Sequence, residues 1–220
     1  LMPLMFKSPE ARASMVAWSE RFRAAIPFPV ESRRVATRFG ETHLLVGGPV
    51  DAPPVVMLHG AMASAAHVLL ELSELLRSFR VYAIDVIGQS ANSADARPSV
   101  DGDDYGHWLV DVFDALALQK AHVVGVSWGG FVSQRFAAVA PARVDRLVLL
   151  VPAGMVKTPV WAGFVKMGLP MARYLMRPTD KNMRAFVGNL LTTLDDDWMP
   201  YLGEAFRSFE MNMRVPKLST

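Results

Sequence analysis

The sequence predicts an α/β fold: a mostly parallel open sheet that begins with an antiparallel hairpin and is followed by a helical cap. Three observations predict it. Four short apolar runs, at residues 55–58, 81–84, 123–126 and 147–151, alternate with stretches of helical periodicity, and unbroken apolar runs are how strands covered on both faces of a parallel sheet read. Residues 35–39 and 42–46 flank Gly40-Glu41 as a short hairpin does. From Met155 onward the strand signal stops, while aromatic and methionine residues continue at helical spacing. A chain of 220 residues is long enough for one sizeable core and short for two ordinary domains.

The elements follow in order. Ser8-Pro9-Glu10 combines an N-cap, a proline at the first helical position and an acid in the first turn; Met15, Trp18, Phe22 and Ile26 then keep helical spacing until Pro27 and Pro29 stop the helix. Residues 1–29 are therefore read as a helical leader. The core, residues 30–154, holds the hairpin, the strand after Pro53-Pro54, a helix capped by Ser64, the strand at 81–84, a helix at 104–118, the strand at 123–126, a helix at 130–139 and the last strand. In residues 155–220, Trp161, Phe164, Met167, Met171, Tyr174, Phe186, Leu190, Trp198, Tyr201 and Phe206 suggest several short helices. Eight of the thirteen methionines lie there. Flexible thioethers fill irregular apolar surfaces, so this region reads as a lid over a pocket, with ordinary helical core as the other reading.

Composition removes several function classes. A formal charge of +2 provides no electrostatic reason to expect nucleic acid or an anionic membrane as a partner. Zero cysteines exclude a disulfide framework, a Cys-ligated zinc site and a thiol nucleophile, and fit a reducing, cytoplasmic compartment. No apolar stretch approaches the roughly 20 residues of a membrane span, and the apolar start is too short for a signal peptide, so the protein is read as soluble and unprocessed. No metal or cofactor is expected. His107 and Asp111 share a helix face, but two ligands make no metal site; Asp195-Asp196-Asp197 lacks the ligand spacing of a calcium loop and reads as a helix start.

The chemistry concentrates where the strand at 123–126 runs into Gly125-Val126-Ser127-Trp128-Gly129-Gly130 and then a helix. A nucleophile elbow needs a strained turn that lifts the serine hydroxyl above the sheet, and small residues two before and two after it let strand and helix approach. Gly125 and Gly129, with Gly130, supply them. Ser127 is expected at positive φ. An acyl-transfer site also needs two N–H donors for the developing oxyanion: one from the residue after the nucleophile, Trp128, and one from the loop His59-Gly60-Ala61-Met62, where Ala61 is the candidate and Met62 the reserve. His59 reads as a brace of that loop, and Asp85, closing the strand at 81–84, as a residue that fixes its own loop.

On the His59-Gly60 loop, the segment Asp85-Val86-Ile87-Gly88-Gln89-Ser90, the Ser127 elbow, the preceding helix segment Trp108-Leu109-Val110-Asp111-Val112-Phe113-Asp114 and the helical leader, the chain resembles the α/β-hydrolase family, in its bacterial carboxylesterase-like branch with a helical cap. Gln89 stands where the family usually carries a second glycine. The resemblance implies a small-molecule ester as substrate, an acyl-enzyme at Ser127, and an acid and a histidine following the serine in chain order, after two further strands. All five histidines, His43, His59, His67, His107 and His122, precede Ser127. The expectation is therefore a truncated hydrolase: the acid and the histidine lie beyond residue 220, a missing C-terminal segment or another chain covers the edge of the last strand, and the 220 residues alone turn over little ester. Two other classes compete. A hydrolase-like protein without its base would bind a ligand or partner through the lid. A Rossmann-type dinucleotide-binding protein would need glycine where Ser127-Trp128 stand and an acid closing the next strand, which closes on Val151-Pro152.

Overall fold

The computed structural model describes residues 5–154, 165, 168–188 and 198–210. Its strands are β1 (Val30–Thr37), β2 (Gly40–Gly47), β3 (Pro54–Leu58), β4 (Arg80–Ile84), β5 (Ala121–Val126) and β6 (Val144–Leu150). They form one sheet in the order β1-β2-β4-β3-β5-β6. β1 and β2 pair antiparallel, as do β2 and β4, whereas β4, β3, β5 and β6 are parallel neighbours. The helices of the core are α1 (Pro9–Ala25), α2 (Ala65–Glu71), α3 (Asp104–Ala115) and α4 (Trp128–Val139).

The apolar runs are unbroken because each inner strand faces two layers. Val56 and Leu58 of β3 join Ile84, Trp108, Val112, Phe113, Phe131 and Phe136 under α3 and α4. Val55 and Met57, one residue out of step, join Val81, Ala83, Ala65, Val68, Leu69 and Ile26 on the opposite face. The period-two alternation of the strand sorts neighbouring residues into separate cores. β3 followed by β4 moves one way across the sheet and β4 to β5 returns past β3, so the order reverses at β3. In open α/β sheets a crevice for ligands opens at such a switch point, outside the carboxyl ends of the strands.

Several local expectations are corrected. The hairpin starts at Val30 and turns two residues earlier than the pattern suggested, at Arg38-Phe39, since Thr37 pairs with Gly40, Thr37 Oγ1 donates to the Gly40 carbonyl at 2.6 Å, and Gly40 takes φ +111°. α3 stops at Ala115, not Leu118, because Ala117 turns left-handed at φ +53° and Leu118 N–H bonds back to Phe113. α4 begins at Trp128, two residues early, with the N–H groups of Gly130 and Phe131 on the Ser127 carbonyl. β6 ends the described sheet, as expected, but its faces, read as covered on both sides, are not: Leu147, Val148 and Leu150 are 37%, 44% and 40% exposed, because α4 reaches only part of the strand.

Beyond the core come α5 (Leu169–Met176), α6 (Asp180–Val187) and α7 (Met199–Ser208). Tyr174, Met183, Phe186, Val187 and Phe206 pack together, with Met62, Met171 and Met199 against them. A second cluster joins α7 to the leader through Met5, Phe6, Met15, Ala91, Tyr201, Ala205 and Phe209. Met62 and Ala91 lie in the loops that leave the carboxyl ends of β3 and β4, so these helices sit over the same end of the sheet as Ser127. A small cavity there is lined by Met15, Ser19, Ala63, Ser64, Ser90, Ala91, Asn92, Tyr201 and Phe209. The sequence-predicted helical residues Met155, Trp161, Phe164, Met167 and Leu190, and Asp195-Asp196-Asp197, lie outside the described residues. Among the described residues no helix is long and apolar enough to cross a membrane.

Candidate active site

Ser127 stands between the last residue of β5 and the first of α4 at φ +50°, ψ −109°, the positive φ expected of it. Its N–H donates to the Leu150 carbonyl at 2.9 Å, and its carbonyl accepts from Gly130 and Ala153, so β6 and α4 together hold the strained turn. The glycines have a steric reason. A Cβ on Gly129 would meet the Leu58 carbonyl oxygen at 2.2 Å, and one on Gly125 would meet the Gly129 carbonyl oxygen at 2.5 Å and Ser133 Oγ at 2.4 Å. β3, β5 and α4 therefore approach as closely as backbones can.

This approach brings the two loops of the site together. A side-chain carbon built on Gly60 would lie 3.5 Å from Ser127 Cβ. Ser127, Gly60, Ala61 and Met62 are all half-buried, open enough to receive a ligand. Among the described residues, the N–H groups of Ala61, Met62 and Trp128 have no protein acceptor. Unpaired main-chain donors beside a strained serine are what an oxyanion site requires.

His59 explains the aim of the Ala61 donor. Val86 N–H donates to His59 Nε2 at 2.9 Å, which leaves the ring proton on Nδ1, and Nδ1 donates to the Gly60 carbonyl at 2.7 Å. A trans peptide points its C=O and N–H opposite ways, so holding the Gly60 carbonyl directs the Ala61 N–H away from the imidazole. Burial pushes the His59 pKa down, against the pull of Asp85. Asp85 Oδ1 lies 3.9 Å from His59 Nε2. With Nε2 already an acceptor, this is proximity of a carboxylate to a neutral ring and not an ion pair. His59 braces the loop.

The Asp85 carboxylate is buried and makes four hydrogen bonds. It accepts from the Ala65 N–H at 2.9 Å, Ser90 Oγ at 2.5 Å and Asn92 Nδ2 at 3.3 Å, and pairs with His43 Nδ1 at 2.5 Å. Burial raises its pKa, but the His43 hydrogen bond and charge outweigh that and hold it below the ordinary carboxylate range. It joins the start of α2 to the loop after β4. His43, with Ser32 Oγ on its other nitrogen at 2.7 Å, is a member of this network that the sequence did not mark, since a histidine inside a strand carries no pairing signal. Elsewhere, Asp111 is taken by Arg38 through three hydrogen bonds of 2.8–2.9 Å.

No histidine hydrogen-bonds the Ser127 hydroxyl. His43 and His59 are committed to Asp85, Ser32, Val86 and Gly60; His67 is stacked among Phe22, Trp198 and Tyr201; His122 lies 3.0 Å from Asp145.

A family model of the alpha/beta hydrolase fold matches residues 53–196. The chain belongs to that family. As an α/β-hydrolase it is 39% identical over 127 residues to an uncharacterized carboxylesterase, nap, of Bacillus subtilis (strain 168), covering 58% of this chain and 42% of that protein. It is 40% identical over 128 residues to carboxylesterase YbfK of the same organism, covering 57% and 43%. The hydrolase chain thus spans less than half the length of these curated relatives in the matched stretch. Among solved structures, naproxen esterase (carboxylesterase NP) from Bacillus subtilis superposes with a TM-score of 0.75 at 26% identity, covering 94% of this chain and 72% of that one.

Proposed function

We propose that this α/β-hydrolase is a serine hydrolase of carboxylic esters. Ser127 attacks the ester carbonyl, the N–H groups of Ala61 and Trp128 receive the oxyanion, the alcohol leaves, and water hydrolyses the acyl-enzyme. The observation that carries this reading is the left-handed Ser127 facing the unpaired N–H groups of two loops. Removing one such donor typically costs about 10²–10³ in kcat. The carboxylesterase names of the relatives support an ester over an amide or epoxide.

The base and its acid come from chain outside residues 1–220, because none of the five histidines reaches Ser127 and Asp85 is committed elsewhere. Helices α5, α6 and α7 act as a cap that sets substrate choice, and a small to medium apolar ester suits the apolar residues they bring to this end of the sheet. The location is cytoplasmic, in keeping with the absence of cysteine.

The test is labelling of the protein, expressed from its complete reading frame, with a serine-directed fluorophosphonate, followed by peptide mapping. Covalent label on Ser127, lost in Ser127→Ala together with turnover of a short activated ester, is the expected result. An unlabelled Ser127 in folded protein would leave the second reading, a binding protein without catalysis, which is favoured by the lack of any base near the hydroxyl in these residues.

A further inference from the structure

The loop between β3 and α2 must hold its donors still, yet its own backbone resists the shape it has. Met62 sits at φ +57°, a region that side chains other than glycine avoid and that persists when the surroundings over-determine it. Two of the restraints come from the sheet: His59 on the Gly60 carbonyl, and Asp85 on the Ala65 N–H. The third comes from the cap. Tyr201, on α7, donates its hydroxyl to the Met62 carbonyl at 2.6 Å.

We propose that Tyr201 is a positioning residue of the oxyanion loop, holding Met62 in its left-handed turn from the cap side so that the Ala61 and Met62 N–H groups stay aimed at the carbonyl that Ser127 attacks. This role rests on the hydrolase reading above. The geometry is that of planar peptides linked by one strained residue. His59 fixes the peptide before Ala61, Tyr201 fixes the peptide after Met62, and the peptide between them, which carries the Met62 N–H, has no freedom left once both neighbours and the Met62 φ are set.

The tyrosine itself is held. Its ring lies 5.0 Å from Phe22, 5.4 Å from His67 and 5.7 Å from Trp18, centroid to centroid, so the leader and α2 both pack against it and the hydroxyl cannot swing to another acceptor. Burial pushes its pKa well up, with the Asp85 charge adding, so the phenol remains a donor throughout the working pH range. The placement of α7 and the placement of the oxyanion donors are thereby one property of the fold.

The experiment is Tyr201→Phe in the protein expressed from its complete reading frame, assayed on a short activated ester well below its melting temperature. The expected result is a kcat about tenfold lower, equivalent to about 1.4 kcal/mol, with KM within about twofold and the fluorophosphonate labelling rate falling in parallel. Ser14→Ala, which removes the 2.8 Å hydrogen bond from the leader to Glu204 on α7, loosens that helix without touching the loop and leaves kcat within about twofold. In a Met62→Asn background, where the left-handed turn is easier to hold, the Tyr201→Phe loss shrinks to about threefold or less. A folded Y201F with wild-type kcat, or an S14A with an equal loss, overturns the latch. If Y201F does not fold, Met62→Val takes its place, since a branched Cβ resists positive φ; labelling at the wild-type rate would overturn the proposal. Failure of the wild type to label at Ser127 removes the hydrolase reading and the latch with it, whereas a labelled wild type beside an unaffected Y201F removes the latch alone.

Discussion

At Ser127 the backbone adopts a sparsely populated conformation that costs about 1–3 kcal/mol, and the neighbouring glycines let strand and helix close around it. Gly129→Ala directs a methyl at the Leu58 carbonyl oxygen, 2.2 Å away, which no rotamer change relieves. We expect a loss of about 3 kcal/mol in urea unfolding at unchanged m-value, and a fall of about a hundredfold in Ser127 labelling as the elbow shifts. His67 makes a different prediction. Burial among Phe22, Trp198 and Tyr201 depresses its pKa to about 4 from an ordinary 6.5. Between those values the unfolded chain binds the proton and the folded one does not, so stability falls as pH falls through that window and the loss is complete below about 4. The loss amounts to about 3 kcal/mol. His67→Phe, which keeps the aromatic packing, flattens the stability profile between pH 6.5 and 4 by that amount; an unchanged slope would refute the assignment. The Asp85 pKa is also depressed, so its contribution persists through this window and is lost only below the ordinary carboxylate range, near pH 4 and under.

Among the elements, β6 departs furthest from its sequence pattern. Its run Leu147-Val148-Leu149-Leu150 reads like the inner strands, yet Val148 and Leu150 are 44% and 40% exposed and Val151 is 81% exposed. Pattern alone registers how apolar a strand is, and whether a further strand lies beside it depends on topology. Exposed apolar edges recruit other strands. We therefore expect the isolated 220-residue chain to self-associate through β6, and Val148→Lys with Leu150→Lys to shift its sedimentation toward monomer while the far-ultraviolet circular dichroism stays unchanged. An unaltered oligomer distribution would place the contact elsewhere. The hairpin erred by less, two residues at its turn, because Thr37 closes it with a side-chain hydrogen bond that alternation does not reveal.

For the molecule as a whole, the reversal of strand order at β3 places the His59 loop and the Ser127 elbow side by side, and α5, α6 and α7 pack on the first of them through Met62. On the proposed reading, the described residues hold the nucleophile and its oxyanion donors, with no histidine bonded to the serine hydroxyl. An oxyanion hole and binding alone leave residual catalysis on the order of 10³–10⁴ over water. The 220-residue chain should therefore turn over a short activated ester slowly, and a version extended through its natural reading frame at least about a thousandfold faster. Comparable, Ser127-dependent rates from the two would mean that one of His43, His59, His67, His107 and His122 moves to serve as base.

The sequence by itself determined the layered α/β architecture, the caps of α1 and α2 at Ser8 and Ser64, and the place of Ser127, since each depends on residues close in the chain: apolar periodicity, a side-chain acceptor three residues from its donor, glycines beside a serine. Only the tertiary structure decided that His43 pairs with Asp85, that the faces of β6 stay partly exposed, and that Tyr201 reaches Met62 from 139 positions away. A single hydroxyl on a helical aromatic looks the same in sequence whether it meets water or a strained carbonyl. What distinguishes the two is the packing of α1, α2 and α7 around it, which local residue patterns do not encode.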